Sequence, residues 1–106
     1  MKRVLIFDTL EKIGEKVSLS GSVQTVRSHG KIAFFDLHDR TGLLQIGGFG
    51  KELADQIAAL NPLDVVTVEG TVKKRDERYI NAEMATGTIE VELEKLTVIA
   101  KADTMP

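Results

Sequence analysis

Phe34 and Phe35 stand side by side in the run Ile32-Ala33-Phe34-Phe35-Asp36-Leu37. Side chains alternate between the two faces of a strand, so two adjacent rings cannot both enter one core. A ring left outside can stack on an unpaired nucleobase, an interaction worth about 1–3 kcal/mol per base. It can equally pack beneath a loop or a second layer. The residues alone leave those two readings of Phe34 open.

Other chemistry finds little support. His29 and His38 are too few and too isolated for a metal site, and there is no cysteine to supply thiolate ligands or disulfides. Gly47-Gly48-Phe49-Gly50 lacks the Lys-Ser/Thr that a phosphate loop requires. Lys73 to Arg78 is a charged stretch of the kind that usually forms a solvated turn. No catalytic constellation, metal or cofactor is expected, and the chain is not expected to be an enzyme by itself.

The element that positions Phe34 is a hairpin. Ile32–Leu37 and Leu43–Ile46 flank Asp39-Arg40-Thr41-Gly42, a turn sequence through its Asp and Gly. If these four residues form the loop, paired residue numbers sum to 81. Ala33, Phe35, Leu37, Leu44 and Ile46 then share a wholly apolar face. The opposite face carries Phe34, Asp36, His38, Leu43, Gln45 and Gly47, with Phe34 beside Gly47.

Around the hairpin, Lys16–Arg27 alternates as a long first strand. Val17, Leu19, Gly21, Val23 and Thr25 lie on one face, with Lys16, Ser18, Ser20, Ser22, Gln24 and Val26 on the other. Gly21 suggests a bulge or sharp bend within it. Before it, Asp8 or Thr9 could cap a helical turn with Leu10 and Ile13 on one side and Gly14 at its end. Lys51–Leu60 has Leu53, Ile57 and Leu60 at helical spacing and stops at Asn61-Pro62. Asp64–Lys74 alternates as a strand, residues 79–87 are irregular, and Thr88–Lys101 reads as a last strand or two short ones. Three strands, a helix and two strands predict an all-β, five-stranded OB-fold Greek-key barrel with its helix between strands three and four.

At 106 residues the chain is read as one domain, 1–106. The N-terminus lacks signal-peptide features and no apolar run is long enough to span a bilayer, so a cytoplasmic location is the expectation. A net charge of −2 argues against a free-standing nucleic-acid binder, though local basic patches remain compatible with it.

Two blocks carry a family resemblance. His29-Gly30-Lys31-Ile32-x-Phe34-x-Asp36-Leu37-x-Asp39-Arg40-x-Gly42-x-x-Gln45 resembles the N-terminal anticodon-binding domain of class II aspartate–tRNA ligases. Lys74-Arg75-Asp76-Glu77, Ile80-Asn81, Met84-Ala85-Thr86-Gly87-Thr88-Ile89-Glu90-Val91 and the closing 102–106 segment resemble the bacterial form. The resemblance spans essentially the whole chain. It implies an RNA-binding set of Phe34, Gln45, Arg27, Glu90, Arg75 and Lys73. Phe34 would stack on the central anticodon uridine and Gln45 would hydrogen-bond that base. Arg27 would contact the anticodon, and Glu90 would read its first base. On spacing alone, Glu90 reads equally well as a solvated strand carboxylate. The implied partner is tRNA(Asp), with tRNA(Asn) as a second, and the ligase's catalytic domain would begin after Pro106.

Some positions depart from the family pattern. Ser22 stands where the family usually has Trp, Val26 and His38 where it has Arg, Ser28 where it often has Asp, Tyr79 where a polar residue is common, and Gly47-Gly48 replaces two larger apolar residues. The lost arginines weaken the electrostatic part of RNA affinity. Positions 22, 24, 26 and 28 alternate, so they are expected to crowd one side of the first strand. An altered or engineered strand face that binds a protein partner is therefore the alternative function.

Overall fold

The computed structural model describes residues 4–75 and 86–101. The predicted irregular segment lies mostly outside the described residues, as do Asp76, Glu77, Tyr79 and the 102–106 tail.

Five strands close a barrel: β1 (Lys16–His29), β2 (Ile32–Asp39), β3 (Gly42–Phe49), β4 (Val65–Lys74) and β5 (Ile89–Ala100). Their order around it is β1-β2-β3-β5-β4, and β1 pairs antiparallel with both β2 and β4. The only helix of α type among the described residues, α1 (Lys51–Ala58), lies between β3 and β4. This is the predicted OB architecture. β3 and β5, separated in the chain by α1 and β4, pair in parallel, with Ile46 opposite Val91 and Gly47 opposite Glu92.

The hairpin has the predicted register. Ile32 pairs with Phe49, Phe34 with Gly47, Phe35 with Ile46, Asp36 with Gln45 and Leu37 with Leu44. Ala33, Phe35, Leu37, Leu44 and Ile46 are all fully buried. Val66, Val68 and Val72 of β4 and Val17, Leu19 and Val23 of β1 complete the wall of the same core. Burying branched aliphatic side chains contributes about 1.5–3 kcal/mol each, so this face, with a single Phe at its centre, specifies the barrel.

Asp39 ties the hairpin turn to the N-terminal segment. Its carboxylate accepts the Ile6 N–H at 2.8 Å, and the Thr41 N–H and hydroxyl at 2.7 and 2.6 Å. Partial burial pushes the Asp39 pKa up. Hydrogen bonds from the Thr41 hydroxyl and from the N–H groups of Ile6, Thr41 and Gly42 outweigh that effect and hold it below the ordinary carboxylate value.

The structure corrects several expectations. The N-terminal turn is a 3-10 helix, Ile6–Glu11, with Leu5 rather than Asp8 or Thr9 at its N-cap. Asp8 sits in its first turn and accepts the Leu5 N–H, Thr9 is buried, and Ile13 points to solvent. The α-helix is two residues shorter than predicted, because Ala59 and Leu60 already turn toward Asn61. Gly21 interrupts no pairing. A Cβ there would run into the backbone carbonyl of His38, so glycine is needed for close approach where β1 passes from β4 to β2.

The bulge lies at Thr25 instead. Gln24 pairs with Asp36 and Val26 with Phe35, leaving Thr25 unpaired at φ 43°. Cross-strand partners share a face, so Val26 turns to the inner side with Phe35 and packs against the core. Arg27 moves to the outer side, opposite Phe34. The changed positions therefore do not line one side: Ser22 and Gln24 face outward, whereas Val26 and Ser28 pair with the inner residues Phe35 and Ala33.

Candidate nucleic-acid interface

On the outer face of β1, β2 and β3 the strands leave a cleft of about 610 Å³, bordered also by the start of β5. Phe34 supplies part of its floor. The ring lies against Gly47, where a Cβ would come within 3.1 and 3.2 Å of two ring carbons. Phe49 meets Phe34 edge-to-face, with centroids 6.1 Å apart and planes at 89°. Glycine at 47 is thus the residue that lets both rings settle onto the sheet.

Polar groups line the rest. The Arg27 guanidinium donates to the Gln45 Oε1 at 3.2 Å and reaches the Asp36 carboxylate at 3.5 Å. Gln45 donates from Nε2 to the Glu90 carboxylate at 2.9 Å. One chain of groups, Arg27–Gln45–Glu90, therefore runs across β1, β3 and β5 beside the Phe34 ring. The bulge aims Arg27, hairpin parity aims Gln45, and the β3–β5 pairing brings up Glu90. Thr86 holds that pairing by donating its hydroxyl to the Leu43 carbonyl.

Arg75, expected in a solvated turn, is buried in the cleft wall. Its Nε donates to the Ile89 carbonyl at 2.8 Å, next to Glu90. Burial lowers its pKa from the ordinary value, and nearby Arg27 lowers it further, while Glu90 and Asp36 pull it up. A guanidinium stays protonated through such shifts. Arg75 is thus a fixed positive charge beneath the carboxylate that closes the Arg27–Gln45–Glu90 chain.

Five of the six predicted residues, Phe34, Gln45, Arg27, Glu90 and Arg75, line this cleft. Lys73 does not. It pairs in register with Glu90 across β4 and β5, but its ammonium is engaged by Glu92. Sequence reasoning missed Phe49, Ile32 and His29, which line the cleft too. The rule that paired numbers sum to 81, carried one outer pair beyond Phe34–Gly47, reaches Ile32–Phe49.

The arrangement offers a ring face, an amide that both donates and accepts, a carboxylate that accepts and a guanidinium that donates. These groups hold flat heterocycles by stacking and by hydrogen bonds to their edges. Among the described residues no three His, Asp or Glu side chains come together to hold a metal, and no helix is long and apolar enough to cross a membrane.

Residues 17–99 match the tRNA anti-codon family of OB-fold nucleic acid binding domains. The aspartate–tRNA(Asp/Asn) ligase of Chlamydia caviae is 42% identical over 101 residues, covering 92% of this chain and 17% of the ligase. The asparaginyl-tRNA synthetase of Pyrococcus horikoshii superposes with a TM-score of 0.77 at 35% identity, over 97% of this chain and 24% of that one. An OBody bound to hen egg-white lysozyme superposes with a TM-score of 0.71 at 21% identity, over 87% of this chain and 86% of its own, an agreement of fold alone. The chain belongs to the tRNA anti-codon family of OB-fold nucleic acid binding domains, in the form found in aspartate–tRNA ligases.

Proposed function

We propose that the cleft reads the unpaired anticodon loop of tRNA(Asp), and of tRNA(Asn), as the recognition module of an aspartate–tRNA ligase. Phe34 stacks on the central uridine, and Gln45 hydrogen-bonds the edge of that base. Arg27 contacts the loop beside it. Glu90 presents its carboxylate to the neighbouring base, beside the buried guanidinium of Arg75. Lys73 stands outside the cleft, so its part is a phosphate contact that must first release Glu92.

The observation that carries the proposal is the hydrogen-bonded chain Arg27–Gln45–Glu90 lying against the Phe34 ring in one cleft. Sequence-specific RNA recognition works on unstacked bases through this pairing of stacking and edge hydrogen bonds. The protein-binding alternative needs a continuous altered stripe along β1, and the Thr25 bulge divides that stripe between two faces.

The test is titration of an anticodon stem-loop by fluorescence anisotropy with the parent chain and Phe34→Ala. Loss of about 1–3 kcal/mol of binding with the barrel still folded supports the assignment. Equal binding by the two proteins refutes it.

A further inference from the structure

We infer that Phe49, with Ile32 and His29 beside it, forms a second stacking subsite that takes an unpaired base next to the one on Phe34. The inference rests on the RNA-reading function proposed above and adds a subsite to it.

Three observations meet at this end of the cleft. Phe49 and its register partner Ile32 are 41% and 39% exposed, although both are large apolar groups lining the cleft rather than its core side. Phe49 also takes part in the edge-to-face contact over Gly47, so its orientation is held rather than free. The cleft, at about 610 Å³, lies in the range that encloses a drug-sized ligand, which is larger than one nucleobase.

Ring geometry decides how two bases would sit. The Phe34 and Phe49 planes are 89° apart. A base flat on one ring is therefore nearly perpendicular to a base flat on the other, and the two cannot stack on each other. The site takes a strand that is splayed at this step, which matches an extruded loop and excludes a continuous helical stack. His29, on the same rim, brings hydrogen-bonding nitrogens to the edge of that second base or to its phosphate.

The experiment compares the parent chain with Phe49→Ala, Phe49→Leu and Phe34→Ala. Each is titrated against an anticodon stem-loop and against two variants of it, abasic on the 5′ or the 3′ side of the central uridine. Phe49→Ala is expected to weaken binding to the intact loop roughly 5- to 150-fold. On one of the two abasic loops that loss should nearly vanish, while the Phe34→Ala loss remains. Phe49→Leu, which keeps apolar packing against Phe34 but lacks a π face, should behave like Phe49→Ala. An equal loss on all three RNAs, or full rescue by leucine, would make Phe49 a prop for Phe34 and overturn the inference. Loss with Phe34→Ala but none with Phe49→Ala removes the second subsite and leaves the RNA-reading face standing. Loss with neither removes both.

Discussion

Arg27 and Phe34 face each other across β1 and β2 because one residue, Thr25, is left out of the pairing between them. Were Thr25 paired in a regular ladder, alternation would carry Arg27 to the side of Val23 and turn Val26 outward. The backbone at Thr25 adopts φ 43°, a conformation that costs an L-residue about 1–2 kcal/mol and suits a β-branched one poorly. Strain held at a bulge beside a site, where the bulge re-aims a side chain, is a known use of this irregularity.

Deleting Thr25 removes the extra residue and leaves Gln24–Asp36, Val26–Phe35 and Arg27–Phe34 as one unbroken ladder, so it should relieve the strain and change binding to an anticodon stem-loop little. Thr25→Asn keeps the residue count and tolerates positive φ. It should raise the melting temperature by a few degrees, at about 4–8 °C per kcal/mol, and leave affinity unchanged. Thermal melts and anisotropy on the two variants check both statements.

The adjacent rings make opposite predictions. Phe35 is fully buried at the centre of the core, so Phe35→Ala should cost about 3–5 kcal/mol and threaten folding. Phe34→Ala removes a ring from the cleft only and should leave the denaturation midpoint close to the parent value. Urea titration of both proteins separates a core role from a surface one.

Most of the barrel was legible because its signals are local. The Asp39–Gly42 turn sets the hairpin register, and a period of two then assigns each side chain to a face, which put Phe34 and Gln45 together. Arg27 was identified by resemblance, but its direction was not legible, since nothing in Gln24-Thr25-Val26 marks a residue that drops out of pairing. Arg75 read as solvated because charge runs usually are. Its burial depends on the start of β5 folding over it, a contact with Ile89 that sequence neighbours do not reveal. The N-terminal turn was misread because its cap partner, Asp39, is more than thirty residues away.

That partner gives a pH dependence. The Asp39 pKa is lowered in the folded chain, so its stabilising contribution is present above the unfolded value of about 3.9 and is lost as pH falls through the folded value. Asp39→Asn should be less stable than the parent at neutral pH, with the difference shrinking as pH drops below about 4. Melting temperatures of the two proteins across this range would show converging curves. Parallel curves would mean that the carboxylate charge is not what fastens Ile6 and Thr41.

Salt should separate RNA from protein partners. Each phosphate neutralised on a single strand contributes about 0.7 to the slope of log affinity against log salt. RNA binding by this chain should weaken measurably from about 50 to 200 mM salt, and Arg27→Ala should reduce the slope by about 0.7 if Arg27 touches a phosphate. A protein interface centred on Phe34 and Phe49 would change little over the same range.

The most direct measurement titrates the chain with tRNA(Asp) and with the same tRNA carrying a swapped anticodon, at moderate salt. With a net charge of −2 and a cleft whose two arginines face two carboxylates, binding should be weak. It should nonetheless be tighter for the native anticodon, because the cleft's stacking and edge hydrogen bonds act on the bases. Equal affinity for the two RNAs, or no binding to either by a folded barrel, would contradict the account.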